Sequence, residues 1–361
     1  MANRFHMTAT HSHLSKTAIA ITQGDAAGIG PEIIAKAFAD QPDTLRGCFV
    51  AGDLQTMRKA SGMLSRPGRP ALPVAVLSGP GECLSVPPHC IPVFQVGAPM
   101  QAVKLGAVSG VAGEFAGRCV QWAAHAALQG DIAAMVTAPL HKEALAAAGA
   151  PYNGHPGHTE MLQAVAAQYL GKPVADVPVR MMLANDELRT VLVSIHMSLR
   201  DAIAAVTFDN VLQTIAITHR ALTPVLGRAP RIAVAGLNPH AGEGGLFGRE
   251  EIEVIAPAIA AARLQGCDVT GPWAPDTVFM RARGGASRPG EFDVVVAQYH
   301  DQGLIPVKYL GVEKGVNVTL GLPLVRTSPD HGTAFDIAGT GIADASSLLE
   351  AVRMAKSLVR T

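Results

Sequence analysis

Short, almost wholly apolar segments alternate along the chain with longer, alanine-rich segments. The apolar segments have the length of strands covered on both faces, and the alanine-rich segments have the length of helices. This alternation predicts an α/β protein with a parallel or mixed sheet between layers of helices. Residues 61–100 are rich in Pro and Gly and predict irregular chain with an edge hairpin near 91–96. Strands are predicted at 17–22, 47–52, 132–137, 179–184, 190–196, 231–236, 292–299 and 316–320, and helices at 31–39, 106–129, 141–148, 159–170, 208–226, 249–265 and 344–358.

The length of the chain allows two domains of ordinary size, since it has 361 residues of which 48% are hydrophobic. A break in the pattern falls at "APYNGHPG". We predict a flexible leader at 1–16 and a first α/β domain at 17–150 plus about 325–361, with a cofactor loop in its C-terminal part. The second α/β domain, at 151–324, is expected to carry the metal ligands and the dimer contacts.

The composition excludes several classes of partner. Lys plus Arg number 29 and Asp plus Glu also number 29, so charge gives no reason to expect binding to nucleic acid or to an acidic membrane. No apolar run approaches the roughly 18 residues that a membrane span needs. Five scattered cysteines without C-x-x-C spacing predict reduced, buried thiols and a cytoplasmic location.

The segment "GDAAGIGPE" lies between a predicted strand and a predicted helix, as a dinucleotide-binding loop does. Its spacing is G-x-x-x-G-x-G, and we expect no well-placed acidic residue at the end of a second strand about 20 residues on, so it is not a Rossmann fingerprint. Gly28 and Gly30 are interpreted as a tight strand-to-helix turn, with Pro31 at the first helical position.

Three histidines share a topological setting. His196 and His300 end predicted strands, and His240 follows the strand 231–236. Ligands of open α/β sheets bind beyond the carboxyl ends of the strands, so three converging imidazoles predict a divalent-metal site. The alternative is that each histidine caps its own turn. Because neighbours on a strand point apart, Asp301 is expected to orient an imidazole or to act separately rather than to bind the metal with His300.

A candidate anion site begins at "GHPGHTE". This motif puts His158 and Thr159 at the start of a predicted helix, where free N–H groups attract anions. Thr159 is the expected N-cap. The alternative is an ordinary cap after a glycine turn.

Further candidates for anion binding follow in the last quarter of the chain. Lys308 comes after an apolar run, Asn317 lies in "GVNVTLG", and Arg326 stands between Val325 and Thr327. A buried cation needs an anionic partner, and arginine can hold a phosphate or carboxylate with two hydrogen bonds. The alternative for Arg326 is an internal salt bridge with Asp330.

The glycine-rich loop "DHGTAFDIAGTGIAD" (330–344) permits close backbone approach to a ligand. Asp336 could accept hydrogen bonds from ribose hydroxyls. A carboxylate there repels the extra phosphate of NADP, so the loop favours NAD.

Together these motifs resemble one enzyme family. "GDAAGIGPE", "GHTE", "GLNPHAGEGG", "YHDQG", "GVNVTLGLP" and "RTSPDHGTA" resemble the 4-hydroxythreonine-4-phosphate dehydrogenases of vitamin B6 biosynthesis, in order from about residue 17 to 350. The first and last glycine loops are also similar to those of isopropylmalate and isocitrate dehydrogenases. The resemblance implies two α/β/α domains with an interdomain cleft, as in isopropylmalate dehydrogenase.

The resemblance also implies an activity and its residues. The expected reaction is NAD-dependent oxidation of the 3-hydroxyl of 4-phosphohydroxy-L-threonine with β-decarboxylation, and NADP is the alternative cofactor. Zinc, or otherwise Mg, Mn or Co, is expected on His196, His240 and His300 from both subunits of a homodimer. The general base is expected to be Lys308, with Asp301 as the alternative. The implied substrate-binding residues are His158, Thr159, Lys308, Asn317 and Arg326, and the implied cofactor-binding residues are Ile29, Asp276, His331, Gly332, Ala334 and Asp336.

Other substrates and functions stay open at this point. "YNGHPGHTE", "TAPLHKEAL" and "GLFGREE" are closer to paralogues that oxidise D-threonate or D-erythronate 4-phosphate. A cis-dihydrodiol dicarboxylate dehydrogenase is another alternative, although "GHTE" and Arg326 favour a phosphorylated substrate. A phosphate acyltransferase would not bind NAD, and a non-enzymatic binding module would function without metal.

Overall fold

The computed structural model describes residues 18–68, 70–155, 157–285, 288–311 and 314–359. The chain forms two compact units. The first contains the chain up to Pro178 and the segment Leu322–Val359, and the second contains Val179–Gly321. The leader predicted at 1–16 lies outside the described residues.

The described residues of the first unit form six strands and six α-helices. The strands are β1 (Ile19–Thr22), β2 (Cys48–Gly52), β3 (Val74–Val76), β4 (Ile91–Gln95), β5 (Ala134–Thr137) and β12 (Arg326–Pro329), and the helices are α1 (Gly30–Asp40), α2 (Leu54–Met63), α3 (Gly110–Gln129), α4 (Lys142–Ala147), α5 (His158–Leu170) and α11 (Ser346–Val359). The strands form a parallel sheet in the order β3-β4-β2-β1-β5-β12.

Burial explains why several of these strands are almost wholly apolar. Every residue of β1, β2 and β5 is buried, so a polar side chain on either face would need its own partner. Helices α3 and α5 contribute Phe115, Cys119 and Met161 to the same core as Phe49 of β2. The C-terminal helix α11 packs against β5, β12 and α1.

In the described part of the second unit there are also six strands. They are β6 (Arg180–Ala184), β7 (Arg189–Leu192), β8 (Ile232–Ala235), β9 (Val269–Trp273), β10 (Val294–Ala297) and β11 (Val316–Leu320), and the helices are α6 (Leu199–Ala204), α7 (Phe208–Leu226), α8 (Ala256–Leu264, after a π-helical turn Glu251–Ile255), α9 (Val278–Ala282) and α10 (His300–Tyr309). The order is β11-β6-β7-β10-β8-β9. Strands β7, β10, β8 and β9 are parallel, whereas β11 and β6 pair antiparallel.

The α/β class and the parallel or mixed sheet are confirmed, but some element bounds differ. Strand β7 ends at Leu192 rather than 196, and β10 ends at Ala297, so His300 begins a helix instead of ending a strand. The 91–96 hairpin is wrong, because β4 lies between β2 and β3 and is parallel to both. Local apolar patterns cannot reveal where a neighbouring strand stops pairing.

The first crossing between the units falls at Pro178, whereas the sequence predicts it near 150–157. The reason is helix α5, whose residues Met161 and Leu162 are buried in the core of the first unit. All five cysteines are buried and carry free thiols. Among the described residues, no helix combines the length and apolar character needed to cross a membrane.

Candidate active-site residues

The turn between β1 and α1 packs tightly against other backbone. A Cβ on Gly28 would lie 2.8 Å from the Thr333 carbonyl oxygen, and one on Gly30 would lie 2.6 Å from the Gln23 carbonyl oxygen. The Ile29 amide donates to the Thr333 carbonyl at 3.0 Å. The two glycines therefore serve protein packing and leave no space for a phosphate.

One expectation about this region is wrong. Asp53 directly follows β2, where a ribose-binding carboxylate stands in Rossmann folds. Its oxygens are used within the protein, since Oδ2 accepts from the Thr56 amide at 2.8 Å and Oδ1 accepts from the Met100 amide at 3.0 Å. Asp53 therefore caps α2 and anchors the chain at residue 100, which occupies the oxygens that a ribose would need.

The predicted cofactor loop is held by helix α1. The Glu32 carboxylate accepts from the Gly339 amide at 3.2 Å and from the Ala343 amide at 2.9 Å. Lys36 of the same helix donates to the Ala343 carbonyl. Because Glu32 is buried and satisfied by backbone amides, it fixes the far end of the loop to α1.

The near end of the loop presents the predicted cofactor residues. His331, Gly332 and Asp336 are exposed, and Ala334 adopts a φ of 40°. A Cβ on Gly332 would meet no atom within 4 Å, so a ligand can approach the backbone there. Ile29 lies at the start of α1 with a buried side chain.

Arg326 is the buried cation of the first unit. It begins β12, and its Nε and Nη2 donate to Thr137 Oγ1 of β5 at 3.1 and 2.7 Å. Burial lowers the pKa of Arg326 to about 10, while the Glu160 carboxylate acts in the opposite direction. Arg326 therefore remains a cation at neutral pH.

His158 and Thr159 begin helix α5, as the sequence predicts. The expected role of Thr159 as N-cap is wrong, because Gly157 occupies that position and makes no side-chain cap. Burial, and secondly the charge of Arg326, hold the pKa of His158 well below its usual value. The His158 imidazole is therefore neutral, and its Nε2 is buried with no hydrogen-bond partner among the described residues.

His196 and His300 of the second unit lie close together. Their ring centroids are 5.7 Å apart, and both rings line a cavity of about 500 Å³. His196 lies in the loop after β7 with a φ of 45°. His300 Nδ1 bonds to Asp301 Oδ1 at 2.7 Å, which leaves its Nε2 for another ligand.

His240 lies on a strained loop after β8. Six consecutive residues, 240–245, have positive φ, and such a conformation costs non-glycine residues about 1–2 kcal/mol each. The buried Glu251 carboxylate holds the start of this loop by accepting from the amides of Leu237 and Asn238, both at 2.7 Å. His240 and Asp276 line a cavity of about 610 Å³ that also borders Asp301.

The three histidines predicted to bind a metal are thus only partly brought together. Among the described residues, no three His, Cys, Asp or Glu side chains form a group that could hold a metal ion. His196 and His300 share one cavity, and His240 opens on the next, while Tyr299 and Asp301 border both. Lys308 lies on α10 about 12 Å along the helix axis from His300, and Asn317 is half-buried on β11.

Asp25 and His141 are candidates that the sequence reasoning missed, although both stand in quoted motifs. Asp25 Oδ1 accepts from the Ala27 amide at 2.8 Å, whereas Oδ2 and His141 Nδ1 are buried without a hydrogen bond among the described residues. Burial raises the pKa of Asp25, while the hydrogen bond from the Ala27 amide and the electrostatic effect of His141 oppose the shift. The His141 ring stacks on Phe335 of the cofactor loop at 4.5 Å.

Comparison with known proteins identifies the family to which the chain belongs. Residues 45–355 match the model of a family described as pyridoxal phosphate biosynthetic protein PdxA. The chain belongs to this family. It is 52% identical over 330 residues to the 4-hydroxythreonine-4-phosphate dehydrogenase of Beijerinckia indica, with 91% of each chain covered.

Two further relatives cover nearly the whole chain. The D-threonate 4-phosphate dehydrogenase of Pectobacterium atrosepticum is 42% identical, with 94% of this chain and 98% of the relative covered. The crystal structure of 4-hydroxythreonine-4-phosphate dehydrogenase from Klebsiella pneumoniae superposes with a TM-score of 0.83 at 42% identity, covering 96% and 98% of the two chains. The resemblance seen in the motifs is confirmed.

The packing of Gly28 can be tested through the cofactor loop. Gly28→Ala places a methyl group against Thr333 and should displace the loop, because overpacking a tight contact costs about 1–3 kcal/mol. If this loop binds NAD, as the sequence analysis predicts, we expect the KM for NAD to rise roughly tenfold. Gly62→Ala is the matched control, because that position has open space and should leave the KM unchanged. Equal KM values for both variants would contradict the inference that the contact between Gly28 and Thr333 positions the loop for cofactor binding.

Proposed function

We propose that this protein is a metal-dependent, NAD-dependent dehydrogenase that oxidises the 3-hydroxyl of 4-phosphohydroxy-L-threonine with β-decarboxylation, as in pyridoxal phosphate biosynthesis. The observation that carries the proposal is the buried Arg326 beside the start of helix α5. A buried guanidinium and free helix N–H groups suit a phosphate, and the 52% identical relative is named for a phosphorylated substrate.

The donor set suits a divalent cation. His300 keeps Nε2 for a metal because its Nδ1 is bonded to Asp301, and His196 lies beside it. When bound, such a cation lowers the pKa of a substrate hydroxyl. The separate position of His240 supports the expectation that a second copy of the chain completes the ligand set in a homodimer.

The loop at 331–336 suits the nicotinamide cofactor. Its exposed Asp336 carboxylate offers an acceptor for ribose hydroxyls, and Gly332 leaves room beside the backbone. When bound, NAD supplies the hydride acceptor. The carboxylate at 336 disfavours the extra phosphate of NADP by charge repulsion.

Two residues remain candidates for the general base. Asp301 lies in the same copy beside His300 and could take a proton directly or through water. Lys308 lies about two helical turns farther along α10 and is the base that the sequence analysis favours. The oxidised product is a 3-keto acid. Its carboxylate is β to the ketone, so it can be lost as CO₂ to leave an enolate.

A second candidate function is oxidation of D-threonate or D-erythronate 4-phosphate. It is favoured by the relative of that name at 42% identity and by the "PGHTE", "TAPLHKEAL" and "GLFGREE" segments. The two substrates share the phosphate and the 3-hydroxyl and differ in the group at C2, so the residues described here suit both.

A substrate panel tests the proposed function. The purified protein should reduce NAD with 4-phosphohydroxy-L-threonine faster than with threonate 4-phosphate, erythronate 4-phosphate or a cis-dihydrodiol dicarboxylate. The measurement is the absorbance of reduced cofactor, with and without added zinc. Preference for a threonate or erythronate 4-phosphate would select the second candidate, and absence of NAD binding would contradict both.

Arg326 should contribute mainly to phosphate binding. Arg326→Gln retains a polar group beside Thr137 but removes the charge, so we expect the KM for the phosphorylated substrate to rise roughly 10- to 100-fold. Unphosphorylated 4-hydroxythreonine should be affected little. Arg353→Gln, on helix α11, is the control. An equal effect on both substrates would remove Arg326 from the phosphate site.

The metal requirement is tested at His240. His240→Ala should lower the metal content per chain, measured by atomic absorption, and should abolish NAD reduction because an imidazole ligand is lost. His125→Ala, an exposed histidine of α3, should retain both metal and activity. Full activity of the unmodified protein after chelation and dialysis would contradict a metal-dependent reaction.

A further inference from the structure

We propose that Lys142 supplies a second cation for the substrate phosphate at the start of helix α5. This inference rests on the proposed function, because it assigns an additional residue to the phosphate site. Lys142 lies in "TAPLHKEAL", and none of the sequence arguments singled it out.

The position of Lys142 is set by strand β5 and helix α4. Strand β5 ends at Thr137, which holds the Arg326 guanidinium, and Lys142 is the first residue of α4. From there its side chain reaches the residue before α5. A Cβ on Gly157 would lie 4.0 Å from Lys142 Cε and 3.5 Å from Glu160 Oε2, so both charged side chains flank the N-terminus of α5.

Structural stability does not explain a lysine at this position. The first turn of a helix carries partial positive charge, so a cation there is unfavourable. The side chain is exposed and makes no hydrogen bond or ion pair within the part of the chain that the structure describes. An ammonium group left without an anion beside free helix N–H groups is suited to an anionic ligand.

The charges of the side chains at the start of helix α5 support the same conclusion. A phosphate monoester carries about −1.5 to −2 charge at pH 7. Arg326 contributes one positive charge, Glu160 opposes it, and His158 is neutral because burial holds its pKa well below the usual value. Without Lys142 these groups sum to about zero, whereas with Lys142 the site attracts a dianion.

The test uses inorganic phosphate as the probe and calorimetric titration of the full-length protein. Lys142→Met should weaken phosphate binding roughly tenfold or more, and Lys142→Arg should retain most of the affinity, because it keeps the charge. Lys172→Met is the matched control, since Lys172 follows the opposite end of α5. We expect its affinity to equal that of the unmodified protein.

Kinetics separate a binding role from a merely structural one. Lys142→Met should raise the KM for the phosphorylated substrate by the same factor as the Kd for phosphate, with a smaller change in kcat. The KM for the unphosphorylated analogue should stay constant. If Lys142 had only a structural role, Lys142→Met would instead change the KM for both substrates and lower the melting temperature.

Two results would overturn the inference. One is unchanged phosphate affinity in Lys142→Met, and the other is equal weakening in Lys142→Met and Lys172→Met, which would indicate net charge alone. If phosphate binding depends on Lys142 but no phosphorylated acid reduces NAD, the phosphate site stands and the dehydrogenase proposal fails. If the substrate is oxidised and Lys142→Met binds phosphate as the unmodified protein does, the dehydrogenase proposal stands and the role of Lys142 fails.

Discussion

The contact between the β1–α1 turn and the loop at 331–343 is the constraint on which the first unit depends. Gly28 and the Ile29 amide meet Thr333, while Glu32 of α1 binds amides at the other end of the loop. These segments are about 300 residues apart in sequence, and only the return of the chain through β12 brings them together. The glycines that resemble a cofactor cradle instead position the loop proposed to hold the cofactor.

The proposed phosphate site also depends on strand β12 and on its neighbour β5. Parallel strands β5 and β12 place Thr137 beside Arg326, and the segment after β5 leads to Lys142 and the start of α5. Burial, and secondly the charge of Arg326, lowers the pKa of His158, so the proposed site contains a fixed positive charge and a neutral imidazole. This combination suits the phosphate binding that we propose, because it avoids the cost of burying a second charge in the protein core.

Two of the histidines proposed to bind metal in the second unit have a strained backbone. His196 and His240 both have positive φ, which few residues other than glycine adopt, and the His240 loop is held by the buried Glu251. Such strain is stable only where surrounding contacts enforce it. His196 and His300 lie close together, whereas His240 lines a separate cavity, and this separation is the observation behind the proposal that two copies share the ligands.

The sequence by itself determined the α/β class, most strands and helices, and the motifs that resemble the family, because these depend on local apolar periodicity and on residue types at short spacing. It did not reveal the helix that begins at His300, the capping role of Asp53, or the positions of Asp25, His141 and Lys142. Those depend on where neighbouring strands stop pairing and on which distant atoms fill the space beside a side chain. Burial, charge compensation and backbone packing are properties of the folded chain, so only the tertiary structure decided them.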